Sequence, residues 1–172
     1  LECFKFNIMN KLLFLLPFLL FCNAFRTDIN LNKKLPYIQL NKLDGGTIST
    51  KEFIKKGKPT IISFWSITCL PCMKELIAIN KKYDKWQKET EVTLYAVSID
   101  PKSMAKRIPI IANKKGWKFP ILKDEDKSLF SKMDVSSLPY TIIVDGSGKI
   151  VYEHNSYQPG DEEEIYNVLK SL

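Results

Sequence analysis

The chain has 172 residues, 45% of them apolar and 26% charged, with 7 glycines, 9 prolines and 4 cysteines. That composition excludes disordered, collagen-like and disulfide-dense chains and leaves room for one ordinary domain. Lysine and arginine outnumber aspartate and glutamate by 26 to 19, but only Arg26 and Arg107 are arginines, and nucleic-acid recognition favours the bidentate guanidinium, so this lysine excess argues against a nucleic-acid partner.

The N-terminal segment reads as a leader. Leu12 to Phe21 is a continuous apolar run, preceded by Lys11 and followed by Cys22-Asn23-Ala24, which is the layout of a secretory signal peptide. The run is short for a membrane span, which takes about 17 to 25 apolar residues, and Pro17 interrupts it. Met9 is the expected start, with residues 1–8 upstream of it. Leu19-Leu20-Phe21-Cys22 has the outline of a lipidation site, with a bulky Phe21 where a small residue is wanted. The expected organisation is a leader over 1–24, a polar tether over 25–34 and one folded domain over 35–172, with membrane contact only through the leader where it is retained.

Within the domain, Tyr37 to Asn41 alternates as a strand, Asp44-Gly45-Gly46 makes a tight turn, and Thr47 to Ser49 returns as a second strand. A short helix is expected from Thr50 as N-cap, ending at Gly57. Thr60 to Trp65 (TIISFW) is an apolar, β-branched and aromatic run, as in a central strand covered on both faces. A helix follows from Pro71 to about Gln87, with Cys72, Leu76, Ile79, Tyr83 and Trp86 on one face and Lys74, Lys81, Lys85 and Lys88 on a solvated one.

Val92 to Ile99 reads as a strand, and Ser103 to Lys115 as a helix, bent or restarted at Pro109 and capped by Gly116. Phe119 to Leu122 is a short strand and Lys127 to Met133 a short helix. Tyr140 to Val144 and Lys149 to Asn155 form a second hairpin, and Asp161 to Leu172 a closing helix with four acidic residues in its first turn. This order predicts an α/β fold with a mixed sheet flanked by helices.

Two of the cysteines, Cys3 and Cys22, fall in the leader, so the domain keeps only Cys69 and Cys72. A Cys-x-x-Cys pair closes almost no loop and adds little stability as a crosslink, so its value is chemical. Structural zinc needs two further ligands, and His154 is the sole histidine. No cofactor or metal is therefore expected. Cys69 lies just before a helix start, where unpaired N–H groups stabilise a thiolate, and is the candidate nucleophile. Cys72, one turn in on the apolar face, is the candidate resolving thiol. Pro71 stiffens the loop between them. Glu75, three residues beyond Cys72 on a neighbouring side of the helix, is placed to manage the proton that Cys72 must lose.

The segment Phe64-Trp65-Ser66-Ile67-Thr68-Cys69-Leu70-Pro71-Cys72-Met73-Lys74-Glu75 resembles the active-site stretch of the TlpA/ResA branch of thioredoxin-like proteins. Leu138-Pro139-Tyr140-Thr141-Ile142-Ile143-Val144-Asp145 resembles its cis-proline strand, and Gly148-Lys149-Ile150-Val151 continues the likeness. The resemblance implies a thioredoxin-like fold with an N-terminal β-hairpin and a central insert. It implies thiol-disulfide exchange in the periplasm or cell envelope, often reductive and often serving cytochrome c maturation. Client protein thiols and disulfides and an upstream membrane electron donor are the implied partners.

By the same match, Cys69 and Cys72 form the redox pair, Glu75 is the glutamate after it, and Pro139 is the cis-proline. Leu138, Leu70, Pro71 and Trp65 then stand where the substrate is met. Ser63 occupies the position of thioredoxin's buried aspartate, so Glu75 carries more of the proton handling. Leu70-Pro71 adds no charge that would stabilise a thiolate in the manner of strong oxidants, which favours a reductant. Two other classes compete. A thiol peroxidase needs a threonine two or three residues before its cysteine and a nearby arginine, whereas Thr68 abuts Cys69. A copper-handling protein would use Cys69, Cys72 and His154.

Overall fold

A computed structural model describes residues 33–172. The expected leader, and the tether before Lys33, lie outside the described residues. The elements are β1 (Gln39–Lys42), β2 (Thr47–Ser49), β3 (Thr60–Trp65), α1 (Leu70–Thr90), β4 (Thr93–Ser98), α2 (Arg107–Lys115), β5 (Ile121–Lys123), α3 (Ser128–Lys132), β6 (Tyr140–Val144), β7 (Ile150–Asn155) and α4 (Asp161–Lys170). One seven-stranded mixed sheet runs in the order β2-β1-β5-β4-β3-β6-β7. β3 lies parallel to β4 and antiparallel to β6, and β1 joins the sheet antiparallel to β5. Among the described residues no helix is long and apolar enough to cross a membrane.

All six residues of β3 are buried, as expected for a strand covered on both faces. Its two-residue period sorts them. Ile61 and Trp65 join Cys72, Leu76, Ile79, Tyr83 and Trp86 of α1 and Ile165 and Leu169 of α4 in one core. Ile62 and Phe64 face the other side, in a second core with Phe53, Tyr95, Val97 and Leu129. Ser63 falls between Ile61 and Trp65, so it belongs to the face that α1 covers, and it is fully buried.

The structure corrects several expected boundaries. The short helix after β2 is a 3-10 turn over Thr50–Phe53, and its N-cap is Ser49, not Thr50. Ser49 accepts a hydrogen bond from the Lys51 N–H while Glu52 reaches back to the Ser49 N–H, a reciprocal pairing of side chains and backbone. Thr50 points inward, donating to the Pro36 carbonyl at 2.6 Å and accepting from the Ile38 N–H at 2.9 Å. The helix expected from Ser103 is split earlier than Pro109: a 3-10 turn over Lys102–Met104 precedes α2, and Pro109 sits in the first turn of α2, where a missing N–H costs little.

Lys33 and Lys34, read as the end of the tether, already pair with the second hairpin through Lys34 opposite Lys149 and the Lys33 carbonyl, which accepts from the Ile150 N–H at 2.9 Å. After β5, the buried Asp124 caps α3, accepting from the N–H groups of Leu129 and Phe130 and from the Ser128 hydroxyl.

Candidate active site

β3 ends at Trp65 and the chain turns through Ser66, Ile67 and Thr68 to Cys69, the N-cap of α1. Leu70 and Pro71 occupy the first two helical positions, where proline's missing N–H leaves no bond unmade. Cys72 is third. Cys69 and Cys72 are joined as a disulfide with Cα atoms 5.3 Å apart, and the Cys69 Sγ accepts from the Cys72 N–H at 3.2 Å. The two sulfurs differ in access: Cys69 is half-buried, whereas Cys72 is fully buried under the helix. Leu70, 64% exposed, and the exposed Pro71 form the rim beside them.

Just before β6, whose Tyr140 lies opposite Phe64 near the end of β3, the Leu138-Pro139 peptide is cis. Pro139 is buried and its carbonyl accepts from the Ser156 N–H at 3.0 Å. Leu138 is half-buried against both cores.

Glu75 departs most from its expected place. It was expected on a neighbouring side of α1, close enough to Cys72 to manage its proton. It is fully buried, one turn past Cys72 on the same inward face. Two hydroxyls hold it: Ser63 donates to Oε2 at 3.2 Å and Thr141 to Oε1 at 2.9 Å. Ser63 and Thr141 face each other directly across β3 and β6, so they form one polar step in an otherwise apolar surface under the helix.

Burial pushes the Glu75 carboxyl up from 4.5 to about 7; the two hydroxyls oppose this, and the carboxylates of Asp161 and Glu162 add to it. A buried acid that titrates near neutral pH can take and return a proton, which is what a dithiol cycle requires of a neighbour. Ser63, read only as the lost aspartate, is part of what makes Glu75 tolerable in the core.

Trp65, expected among the substrate-meeting groups, offers no surface here. It is fully buried in the core under α1, edge-on to Trp117 with ring centres 4.9 Å apart, because its place in β3 directs it beneath the helix. His154 pairs across β7 and β6 with Thr141, stacks on Tyr152, and has Nε2 3.5 Å from Asp161 Oδ2. Among the described residues no group of three or more histidine, cysteine, aspartate or glutamate side chains is arranged to hold a metal ion, so the copper set of Cys69, Cys72 and His154 is not assembled.

Sequence reasoning also passed over Asp100, which accepts hydrogen bonds from the loop before Cys69. The one available signal was its position, just after the strand expected over Val92 to Ile99.

A Cys-x-x-Cys disulfide at the start of the helix that follows the central strand, with a cis-proline just before the strand that pairs antiparallel to it, defines a thioredoxin-like thiol-disulfide oxidoreductase. Residues 31–153 match the AhpC/TSA family, and the chain belongs to it. It is 29% identical over 143 residues to the thiol-disulfide oxidoreductase ResA of Bacillus thuringiensis (strain Al Hakam), covering 83% of this chain and 80% of that protein. Among solved structures, an uncharacterized thioredoxin-like protein from Porphyromonas gingivalis shares 41% identity at a TM-score of 0.71, over 80% of this chain and 90% of that one. StoA from Bacillus subtilis shares the fold at 20% identity and a TM-score of 0.61, over 77% of this chain and 97% of its own.

Proposed function

We propose that this thiol-disulfide oxidoreductase is exported and works as a reductant of disulfides in envelope client proteins, cytochrome c maturation being the task that the resemblance of its active-site segment implies. Cys69 is the attacking sulfur, Cys72 resolves, and Glu75 manages the proton. In the reduced protein the Cys69 thiolate attacks a client disulfide; a new S–S bond forms to one client sulfur and the other leaves as a thiolate. Cys72 passes its proton to the Glu75 carboxylate and attacks the Cys69 sulfur. The second client thiolate is released and the Cys69–Cys72 disulfide remains. Two electrons have gone to the client, and a membrane electron donor restores the dithiol.

The observation that carries this reading is the difference in access between the sulfurs, together with the buried Glu75 one turn beyond the inner one. The half-buried Cys69 meets a client; the fully buried Cys72 meets only Cys69. Exposed Leu70 and Pro71 offer an apolar contact for a client strand. No hydrogen bond among the described residues uses the backbone of Leu138, which leaves it for pairing with the client main chain. The leader over 1–24 supports export, and the uncharged Leu70-Pro71 pair supports a reducing rather than an oxidising role.

The test uses purified Cys72→Ser and Cys69→Ser variants with an oxidised Cys-x-x-Cys-His peptide, the haem-attachment motif. Cys72→Ser is expected to accumulate a mixed disulfide with the peptide in excess of Cys69→Ser. The reverse ratio would exchange the two roles, and turnover of peroxide in preference to the peptide would move the protein to the peroxidase class. Fractionation of cells producing the full chain tests export: recovery with cytoplasmic markers would overturn it.

A further inference from the structure

Asp100 lies just past the end of β4 and is 3% exposed. None of the ion pairs among the described residues includes it. Its carboxylate is instead held by hydrogen bonds. The Ser66 hydroxyl donates to Oδ1 at 2.7 Å, while the Ile67 N–H at 2.9 Å and the Ser98 hydroxyl at 2.7 Å donate to Oδ2. Its own N–H donates to the Ser98 Oγ at 3.1 Å.

Two of these three donors belong to the loop that delivers Cys69. Ser66 passes the restraint on: its carbonyl accepts from the Cys69 N–H at 3.0 Å, and its hydroxyl accepts from the Thr68 N–H at 3.3 Å and bonds the Thr68 hydroxyl at 3.1 Å. The neighbouring Ile99 N–H donates to the Trp65 carbonyl at 3.0 Å. Residues 65–69 are thus fastened, directly or at one remove, to the end of β4.

A buried carboxylate without a cation is costly, and its hydrogen bonds are of the strong, charge-assisted kind. What this arrangement secures is the path of the loop. The stabilisation of a Cys69 thiolate depends on holding its sulfur in line with the Cys72 N–H at the positive end of α1, an alignment that a slack loop would lose. We propose that Asp100 is a positioning residue for thiol-disulfide exchange, clamping Ser66 and Ile67 so that the Cys69 sulfur stays against the N-terminus of α1 and its thiolate is populated. The proposal rests on Cys69 being the attacking thiol.

Removing Asp100 has two opposed effects on that thiolate: loss of a nearby negative charge favours it, and loss of the clamp disfavours it. Asparagine separates them. Its amide oxygen can take the place of Oδ2, and its NH2 group can donate to a rotated Ser66 hydroxyl, so Asp100→Asn keeps the clamp without the charge. Asp100→Ala has neither. Comparing these two uncharged variants isolates the clamp.

The measurement is the rate at which the purified, reduced protein attacks a small aromatic disulfide, followed against pH. Asp100→Ala is expected to titrate about one pH unit above Asp100→Asn. It would then react about threefold more slowly at pH values below both midpoints, and about threefold faster in alkali, where both thiols are ionised and the more basic thiolate is the better nucleophile. A change in general stability alone would not produce this crossover. Ser66→Ala keeps the carboxylate and loses one loop donor; a roughly twofold slowing against wild type below the midpoint, reversed in alkali, tests the clamp even where Asp100→Ala fails to fold.

Superimposed profiles of the two Asp100 variants, or of Ser66→Ala and wild type, would overturn the proposal. Substoichiometric alkylation of the reduced wild type, with the labelled cysteine identified by mass, distinguishes the two kinds of failure. Label on Cys72 would overturn the choice of nucleophile and the proposal with it. Label on Cys69 with superimposed profiles would overturn the role of Asp100 alone.

Discussion

Replacing Glu75 by glutamine should make the oxidised protein more stable at neutral pH than wild type. Glu75 is fully buried and its carboxyl is pushed up from 4.5 to about 7. Below pH 4.5 the folded and unfolded chains both carry the proton. Between pH 4.5 and about 7 the unfolded chain releases it while the folded chain keeps it, so stability falls by about 1.4 kcal/mol for each pH unit; above about 7 the fall stops. The accumulated loss is about 3 kcal/mol, in the direction opposite to that of a carboxylate stabilised by an ion pair.

Glutamine reproduces the protonated form. Its carbonyl can accept from Thr141 and its NH2 can donate to a rotated Ser63 hydroxyl, so each of its terminal atoms keeps a hydrogen-bond partner. In urea unfolding from pH 4 to 8, the stability difference between Glu75→Gln and wild type should therefore grow by about 3 kcal/mol in favour of the variant. In the reduced protein the same substitution should slow the resolving step by roughly ten- to a hundredfold and remove the inflection that Glu75 imposes on its pH profile. A stability difference that stays flat across this range would refute the view that Glu75 enters the fold as an acid titrating near neutrality. Superimposed kinetic profiles would refute its part in the exchange.

Thr141→Val removes a donor that pulls the Glu75 carboxyl down, so the pH midpoint of exchange assigned to Glu75 should move upward in a stopped-flow profile. Asp124→Ala uncaps α3 and leaves the N–H groups of Leu129 and Phe130 without their acceptor; the expected loss is about 2 kcal/mol in urea unfolding, with the exchange rate unchanged. Equilibration with glutathione should give a reduction potential near that of thioredoxin, about −270 mV, rather than that of strong oxidants near −120 mV.

Local pattern revealed most of the architecture and only part of the site. The apolar run of β3, the 4-3-4-3 spacing from Cys72 to Trp86 and the two turns rich in Asp and Gly each carry their meaning within a few residues, and the strands and helices they imply are found. The Cys-x-x-Cys pair is likewise a local signal. The surroundings of Glu75 are not. Its acceptors are satisfied by Ser63 on an earlier strand and by Thr141 from much later in the chain, and helix spacing alone could not tell a solvated glutamate from one opposite a cross-strand pair of hydroxyls.

Trp65 shows the same limit in reverse. An aromatic next to a redox motif can serve substrate or core, and what decides is which face of β3 α1 covers. Thr50 was legible as a capping type, but the choice between it and Ser49 turned on the long-range bonds to Pro36 and Ile38.

The position of β3 also bears on how the chain reaches this state. One of its edges is closed early, by β4, which the intervening α1 brings alongside; the other waits for β6, which comes far downstream. Until then, six residues with high strand propensity and no charge or proline present open hydrogen-bonding groups, the make-up of an aggregation-prone segment. A chain truncated before Tyr140, or one halted during synthesis with its last fifth still to come, would keep that edge bare. The final hairpin thus acts as the closing guard of this edge of the sheet.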